Sequence, residues 1–140
     1  MKDDIVLDTS VVVKWFQKKE KQFKEAARLK DAFLKGKSRL TIPPLVLYEV
    51  GNVLRFKEDL SAEDVNFALK ALLEMGLNFA FPDEDVLAKT TNFAFEYKLT
   101  FYDAHFVALA DDLGHDFVTA DKKLFEKTKK LPFVLLLDQI

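Results

Sequence analysis

Apolar residues along this chain fall into two alternating patterns: short unbroken runs, and longer stretches in which they recur every three or four positions. IVLD (5–8) reads as a short buried strand and Val11–Gln17 as the helix that follows it. KEKQFKEAARLKDAFLKGK (19–37) reads as a second helix. Phe23, Ala26, Ala27, Phe33 and Leu34 share one side of it, lysines cover the others, and Gly36 supplies the stop. RLTIP (39–43) is a strand closed by Pro43–Pro44, and the second proline suits the first turn of a helix running to Lys57. Ser61-Ala-Glu-Asp64 is a capping-box start for a helix reaching Met75, with Gly76 behind it. LNFAF (77–81) is a strand, Asp83–Tyr97 a helix, and Thr100–Leu113 a further helix stopped by Gly114. DFVT (116–119) is a strand, Asp121–Lys129 a short helix, and FVLLL (133–137) a final apolar strand.

Strands that alternate with helices, each strand short and apolar, predict an α/β fold with a parallel sheet covered on both faces. No linker, internal repeat or low-complexity segment interrupts the pattern, so residues 1–140 are expected to form one domain. The lysine-rich segments 18–24 and 122–130 read as solvated helix faces.

Composition then removes several kinds of chemistry. There is no cysteine, and the two histidines are His105 and His115, which excludes disulfides, thiolate catalysis and the common zinc sites. Fourteen phenylalanines supply much of the core volume. A net charge of −2 argues against gripping nucleic acid by bulk charge. It leaves room for a nuclease whose acidic centre lowers the total while lysines elsewhere meet phosphates. Met1 is followed by Lys2, Asp3 and Asp4 rather than by a signal peptide, and no apolar run reaches membrane-spanning length, so a cytoplasmic protein is expected.

Four acids stand in apolar company. Asp8 follows IVL and Asp121 follows FVT, both at the carboxyl ends of strands, where open parallel sheets bind ligands. Each alone is also explained as a helix cap. Glu49 shares a helix face with Asn52, Val53 and Phe56, and Asp103 with Phe106, Val107 and Ala110, so both acids point where hydrophobic residues point. Singly, each could lie at the edge of a stripe with its head in water. Together, four such acids raise one another's pKa unless they share a cation. Oxygen-only ligands favour Mg²⁺ or Mn²⁺, ions that commonly serve phosphoryl chemistry.

The series IVLDTS, PLVLYEVGNVL, FYDAHFVALA, FVTADKKLF, in that order, resembles the PIN domain, and within it the VapC type of toxin ribonuclease from toxin–antitoxin pairs. The resemblance runs from Ile5 to the closing strand. It implies a three-layer α/β/α sandwich around a central parallel sheet and a metal-dependent endoribonuclease leaving a 5′-phosphate and a 3′-hydroxyl. By the same resemblance Asp8, Glu49, Asp103 and Asp121 are the catalytic acids and metal ligands, with Asp8 and Asp103 holding the principal ion. Thr9, Ser10 and Thr119 would be hydroxyl supports. Asn52, one turn beyond Glu49, would orient it or serve as an ordinary buried amide. A homodimer and a small antitoxin that inserts into the acidic site are implied as well. The chain departs from the family in being mildly acidic with few arginines. RNA affinity would then depend on local lysines, of which Lys14, Lys122 and Lys123 stand nearest the acids in sequence.

Other residues carry less. His105 lies two positions beyond Asp103 and points to another side of the helix. His115 falls in a turn and is expected to be solvated. Trp15 and Phe16 read as core or dimer contacts, Asp111, Asp112 and Asp116 as a polar helix end, and Asp138 has no role. A phosphatase of the haloacid dehalogenase type needs Asp-x-Asp, where this chain has Ser10, and the scattered glycines form no phosphate-cradling loop. The competing function is a catalytically idle PIN fold that binds RNA or protein.

Overall fold

β1 (Asp3–Leu7) is apolar toward both sides: Ile5, Val6 and Leu7 are all buried, which requires helices above and below it. The computed structural model that shows this describes residues 3–140; Met1 and Lys2, read from sequence as the lead into the chain, lie outside the described residues. Along the chain follow α1 (Thr9–Val12), a 3₁₀ turn Val13–Phe16, α2 (Phe23–Leu34), β2 (Ser38–Ile42), α3 (Leu45–Arg55), α4 (Ala62–Glu74) and β3 (Asn78–Phe79). Then come α5 (Glu84–Tyr97), α6 (Phe101–Leu113), β4 (Asp116–Thr119), α7 (Lys122–Thr128), β5 (Val134–Leu136) and a 3₁₀ turn Leu137–Gln139.

The strands pair in the order β3-β2-β1-β4-β5, every pair parallel. Val6 sits opposite Thr41 on one side and Phe117 on the other, and Leu7 opposite Val118. The chain runs outward from β1 to β3 through α2, α3 and α4, then back through α5 and α6 to β4 and on through α7 to β5; the right-handed rule for such crossovers puts the first three helices on one face and the last three on the other. The expected α/β/α sandwich around a parallel sheet is therefore the observed fold. Its strand order reverses between β1 and β4, so the crevice at their carboxyl ends is the switch point where such sheets bind ligands.

α6 is the central helix. All seven residues from Ala104 to Ala110 are buried, not a single stripe, because the helix packs on β1 and β4 beneath while α5 covers it. Phe106 stacks on Phe117 with ring centroids 6.0 Å apart, fixing α6 over β4. Gly114 ends the helix at φ +68, a conformation that favours glycine.

Four boundaries differ from the sequence expectation. The first helix begins at Thr9, not Val11, and tightens to 3₁₀ after one turn. The second begins only at Phe23, because Lys18–Gln22 offers no apolar side chain to bury; Gln22 turns the chain into it at φ +62. LNFAF contributes two paired residues at the sheet edge, and FVLLL three, with the buried Leu137 already in the closing turn. On α3 the core stripe is Val46, Val50 and Leu54, whereas Asn52, Val53 and Phe56 are exposed, so Glu49 does not lie on the core face.

Candidate active site

Asp8 leaves β1 in extended backbone conformation at the N-cap position of α1, yet its side chain makes no capping bond. The backbone does that work: the Asp8 carbonyl accepts from the Val11 and Val12 N–H groups at 3.0 and 3.4 Å. The carboxylate turns into the crevice, where Ser10 Oγ donates to Oδ2 at 2.6 Å and Thr119 Oγ1 donates to the same oxygen at 2.8 Å. Each hydroxyl is aimed by a backbone N–H behind it. Ala120 N donates to Ser10 Oγ at 2.9 Å and Asp121 N to Thr119 Oγ1 at 3.0 Å. Since each hydroxyl has one proton and spends it on Asp8, their mutual 3.3 Å approach is a packing contact. β1, α1 and β4 thus hold one carboxylate rigidly, with Oδ1 left to meet a ligand.

The other acids arrive from different elements. Glu49 comes from the side of α3 and is held by Thr9, whose Oγ1 donates to Oε1 at 2.7 Å. The polar partner expected of Asn52 is therefore Thr9, and Asn52 is exposed. Asp103 lies in the first turn of α6, half-buried, with its backbone N–H donating to Thr100 Oγ1 at 3.1 Å. At a helix N-terminus the dipole favours its negative charge. Asp121 does cap its helix: Oδ1 accepts from Lys123 N and Leu124 N at 2.9 and 3.2 Å. The capping explanation thus describes Asp121 and fails for Asp8.

Burial pushes the Asp8 carboxyl up to about 6, the two hydroxyl bonds oppose this, and repulsion from Asp103 and Glu49 adds to it. Glu49 is raised by burial and by Asp103, with the Thr9 bond pulling back. Asp103 is raised by burial and by Asp121, against Thr100 and Lys127. Asp8, Glu49 and Asp103 thus each feel at least one other acid. Among the described residues, however, no group of three or more His, Cys, Asp or Glu side chains is placed to hold a metal ion. The donor set, all carboxylate oxygen with charge that burial disfavours, suits a hard divalent cation.

Replacing Thr119 with the isosteric valine tests the relay. Asp8 loses one of its two donors and the Asp121 N–H loses its acceptor. The protein is expected to lose about 1–3 kcal/mol at neutral pH, read from urea unfolding. An unchanged midpoint would show that Asp8 does not depend on the hydroxyl pair.

Beside the acids opens a cavity of about 670 Å³ whose walls include Lys14, Lys57, Ala120 and Lys122. Lys14 is buried and Lys122 exposed; Lys123 is exposed and lies outside the lining. Lys19 and Lys21, assigned from sequence to a solvated helix face, line this cavity because their segment is a loop. A run of five residues with nothing apolar in it was the available signal. His105 is buried, its Nδ1 3.2 Å from Thr90 Oγ1, and burial lowers its pKa, which suits a neutral packing role. His115, expected to be solvated, is half-buried: its Nδ1 is shielded and has no hydrogen-bond partner among the described residues. Trp15 is core, donating from Nε1 to the Ala26 carbonyl at 2.8 Å. No described helix is long and apolar enough to cross a membrane.

A family model described as the PIN domain matches residues 5–131. Exonuclease VapC9 from Pyrobaculum aerophilum is 33% identical over 99 residues, covering 71% of this chain and 74% of that protein. PAE2754, also from Pyrobaculum aerophilum, has a crystal structure that aligns at TM-score 0.73 and 24% identity, over 98% of this chain and 85% of that one. A toxin-antitoxin complex from Klebsiella pneumoniae contains a chain aligning at TM-score 0.72 and 17% identity, over 95% and 97%. At such identities the two structures speak to the fold alone.

Proposed function

The chain belongs to the PIN-domain family, and from that premise we propose that it is a VapC-type toxin ribonuclease, an endonuclease that hydrolyses RNA phosphodiesters with Mg²⁺ or Mn²⁺. The observation that carries the reading is Asp8. It is a buried carboxylate at the switch point, refused as a helix cap, fixed by two hydroxyls and pressed by other acids. In this reading Asp8 and Asp103 would hold the principal ion, Glu49 would assist, and Asp121, which caps α7, would complete the set. The ion, when bound, supplies an activated water and neutralises charge on the phosphate. Ser10 and Thr119 fix the orientation of Asp8, and Thr9 fixes that of Glu49. Thr100 and Lys127 favour the charged form of Asp103, against burial and Asp121. Such pre-set geometry spares the reaction the cost of ordering its ligands.

A homodimer, an antitoxin that covers the acids, and a cytoplasmic site of action go with this reading. Exposed Tyr48, Phe56, Phe67 and Phe95 give protein partners apolar surface to bury. That no three ligating side chains among the described residues are placed to hold a metal ion favours the competing reading, a PIN fold that binds RNA or protein without cutting.

A circular single-stranded RNA decides both the activity and its mode. The protein with Mn²⁺ is expected to linearise the circle, and EDTA to stop it. Shortening of linear RNA with the circle untouched would make the protein an exonuclease, as the VapC9 relative is named. No cutting of either form, nor of total RNA, would leave the binding module.

A further inference from the structure

The cavity beside the acids concentrates positive charge in a chain of net charge −2. Lys14, Lys19, Lys21, Lys57 and Lys122 line it, against one carboxylate, Glu20, which pairs with Lys57 at 3.1 Å. Four ammonium groups are thus uncompensated within it. Lys14 is the most telling of them. It is only 9% exposed, lies in the 3₁₀ turn directly after the helix that follows Asp8, and makes no ion pair or side-chain hydrogen bond among the described residues. Lysines on a solvated face extend into water and are free to move. Here a stem is packed in place and its cation is presented, without a counter-ion, to a concave surface.

The cavity reaches the acids through their neighbours, Ala120 and Lys122, which flank Asp121 in the chain. Ala120 is part of its wall, and the Ala120 N–H is the donor that orients Ser10 toward Asp8. Lys122 follows Asp121 in the chain. A phosphodiester approaching four carboxylates is repelled, and cations within about 10 Å are needed to offset that repulsion before salt screens them. Lysines supply point charges for phosphate without reading bases. Gln22, held at φ +62 at the amino end of α2, adds a helix terminus that favours anions.

We propose that this cavity is the track for the phosphate backbone of single-stranded RNA leading to the acids, with Lys14 as its fixed cation and Lys19, Lys21 and Lys122 along its wall; the assignment rests on the ribonuclease reading and deepens it. Binding along the track is tolerant of sequence and sensitive to salt.

The test uses the full chain in EDTA, so that nothing is cut. A fluorescein-labelled single-stranded RNA of about 20 nucleotides is titrated across a series of salt concentrations and binding is read by anisotropy. Lys19→Glu with Lys21→Glu is compared with Lys35→Glu with Lys70→Glu, an equal charge change outside the cavity. The cavity pair is expected to weaken binding at least about tenfold at low salt and to flatten the log affinity–log salt slope by about 1–2, at about 0.7 per phosphate contact. The outer pair should cost less than about threefold. Lys14→Met, which keeps the stem and removes the charge, should flatten the slope by about 0.7 and reports on the same track should the double variant misfold. Equal losses in both pairs would reduce the effect to net charge and overturn the track, as would unchanged affinity in the cavity variants. Cleavage with Mn²⁺, measured separately, keeps the two readings apart. A chain that cuts RNA while its cavity variants bind normally loses the track and keeps the nuclease. A chain that cuts nothing, yet loses affinity only in the cavity variants, keeps the track and loses the nuclease.

Discussion

Asp8→Asn is expected to lower the single-turnover rate of RNA cleavage by about three orders of magnitude or more, a loss typical of removing a group on which the reacting atoms depend. Asparagine has nearly the shape of aspartate and still offers an oxygen to Ser10 and Thr119, so the crevice keeps its packing and loses one negative charge. A divalent ion held by carboxylates loses its most rigid ligand. Glu49→Gln should cost less, because Glu49 is half-buried and tethered by the single Thr9 bond. Manganese binding followed by calorimetry gives a second readout, and Asp8→Asn should abolish or greatly weaken it. If cleavage survives both the substitution and EDTA within about tenfold, the acids are not a metal centre and the chemistry must be sought elsewhere.

What the sequence revealed about this site followed from where apolar runs stop. Asp8 and Asp121 were placed at strand ends because IVL and FVT break there, and a parallel sheet brings those ends together. The helix periodicity puts Glu49 on a face with Asn52, Val53 and Phe56, but those three are exposed, and Glu49, half-buried, reaches the site from the side of α3 through Thr9. The division between Asp8 and Asp121 was invisible, since both look like caps. Both are extended at the N-cap, and only the tertiary setting separates them: Asp8 is taken by the hydroxyls of Ser10 and Thr119, Asp121 by the N–H groups of its own helix. The hydroxyl relay was legible only as a set of nearby hydroxyls, because it depends on the N–H groups of Ala120 and Asp121, across the sheet from Ser10. Lys18–Gln22 reads as helix because its lysines continue the polar side of the α2 pattern, yet α2 starts only at Phe23. Helix formation there fails for want of anything to bury, a tertiary property.

The metal-free protein is expected to become less stable as pH rises from about 5 to about 7.5, over a range where most proteins are near their optimum. Asp8 carries this effect. Its carboxyl ordinarily ionises at 3.8 and in the fold is pushed up to about 6, mainly by burial. The folded state therefore binds the proton more tightly than the unfolded chain does. Stability that is full below the unfolded value is lost as pH climbs through the folded one, reaching a penalty of about 3 kcal/mol above it. At about pH 5 roughly half of that penalty has been relieved. Glu49 and Asp103 are shifted the same way and add to the trend. Asp64 is lowered by its bonds from Ser61, and its contribution is lost only on acidification below its ordinary value, so it does not confuse the comparison. Asp8→Asn removes the penalty. It should raise the melting temperature of the metal-free protein at about pH 7.5 by roughly 10 °C, and by about half as much at pH 5. Mn²⁺ should do for the wild type at neutral pH what the substitution does without it, and should add little to the variant. Thermal unfolding of the two proteins at both pH values, with EDTA and with Mn²⁺, contains the whole test. A variant no more stable than the wild type at neutral pH would mean that Asp8 is not a charge held against its surroundings, and the case for a cation there would go with it.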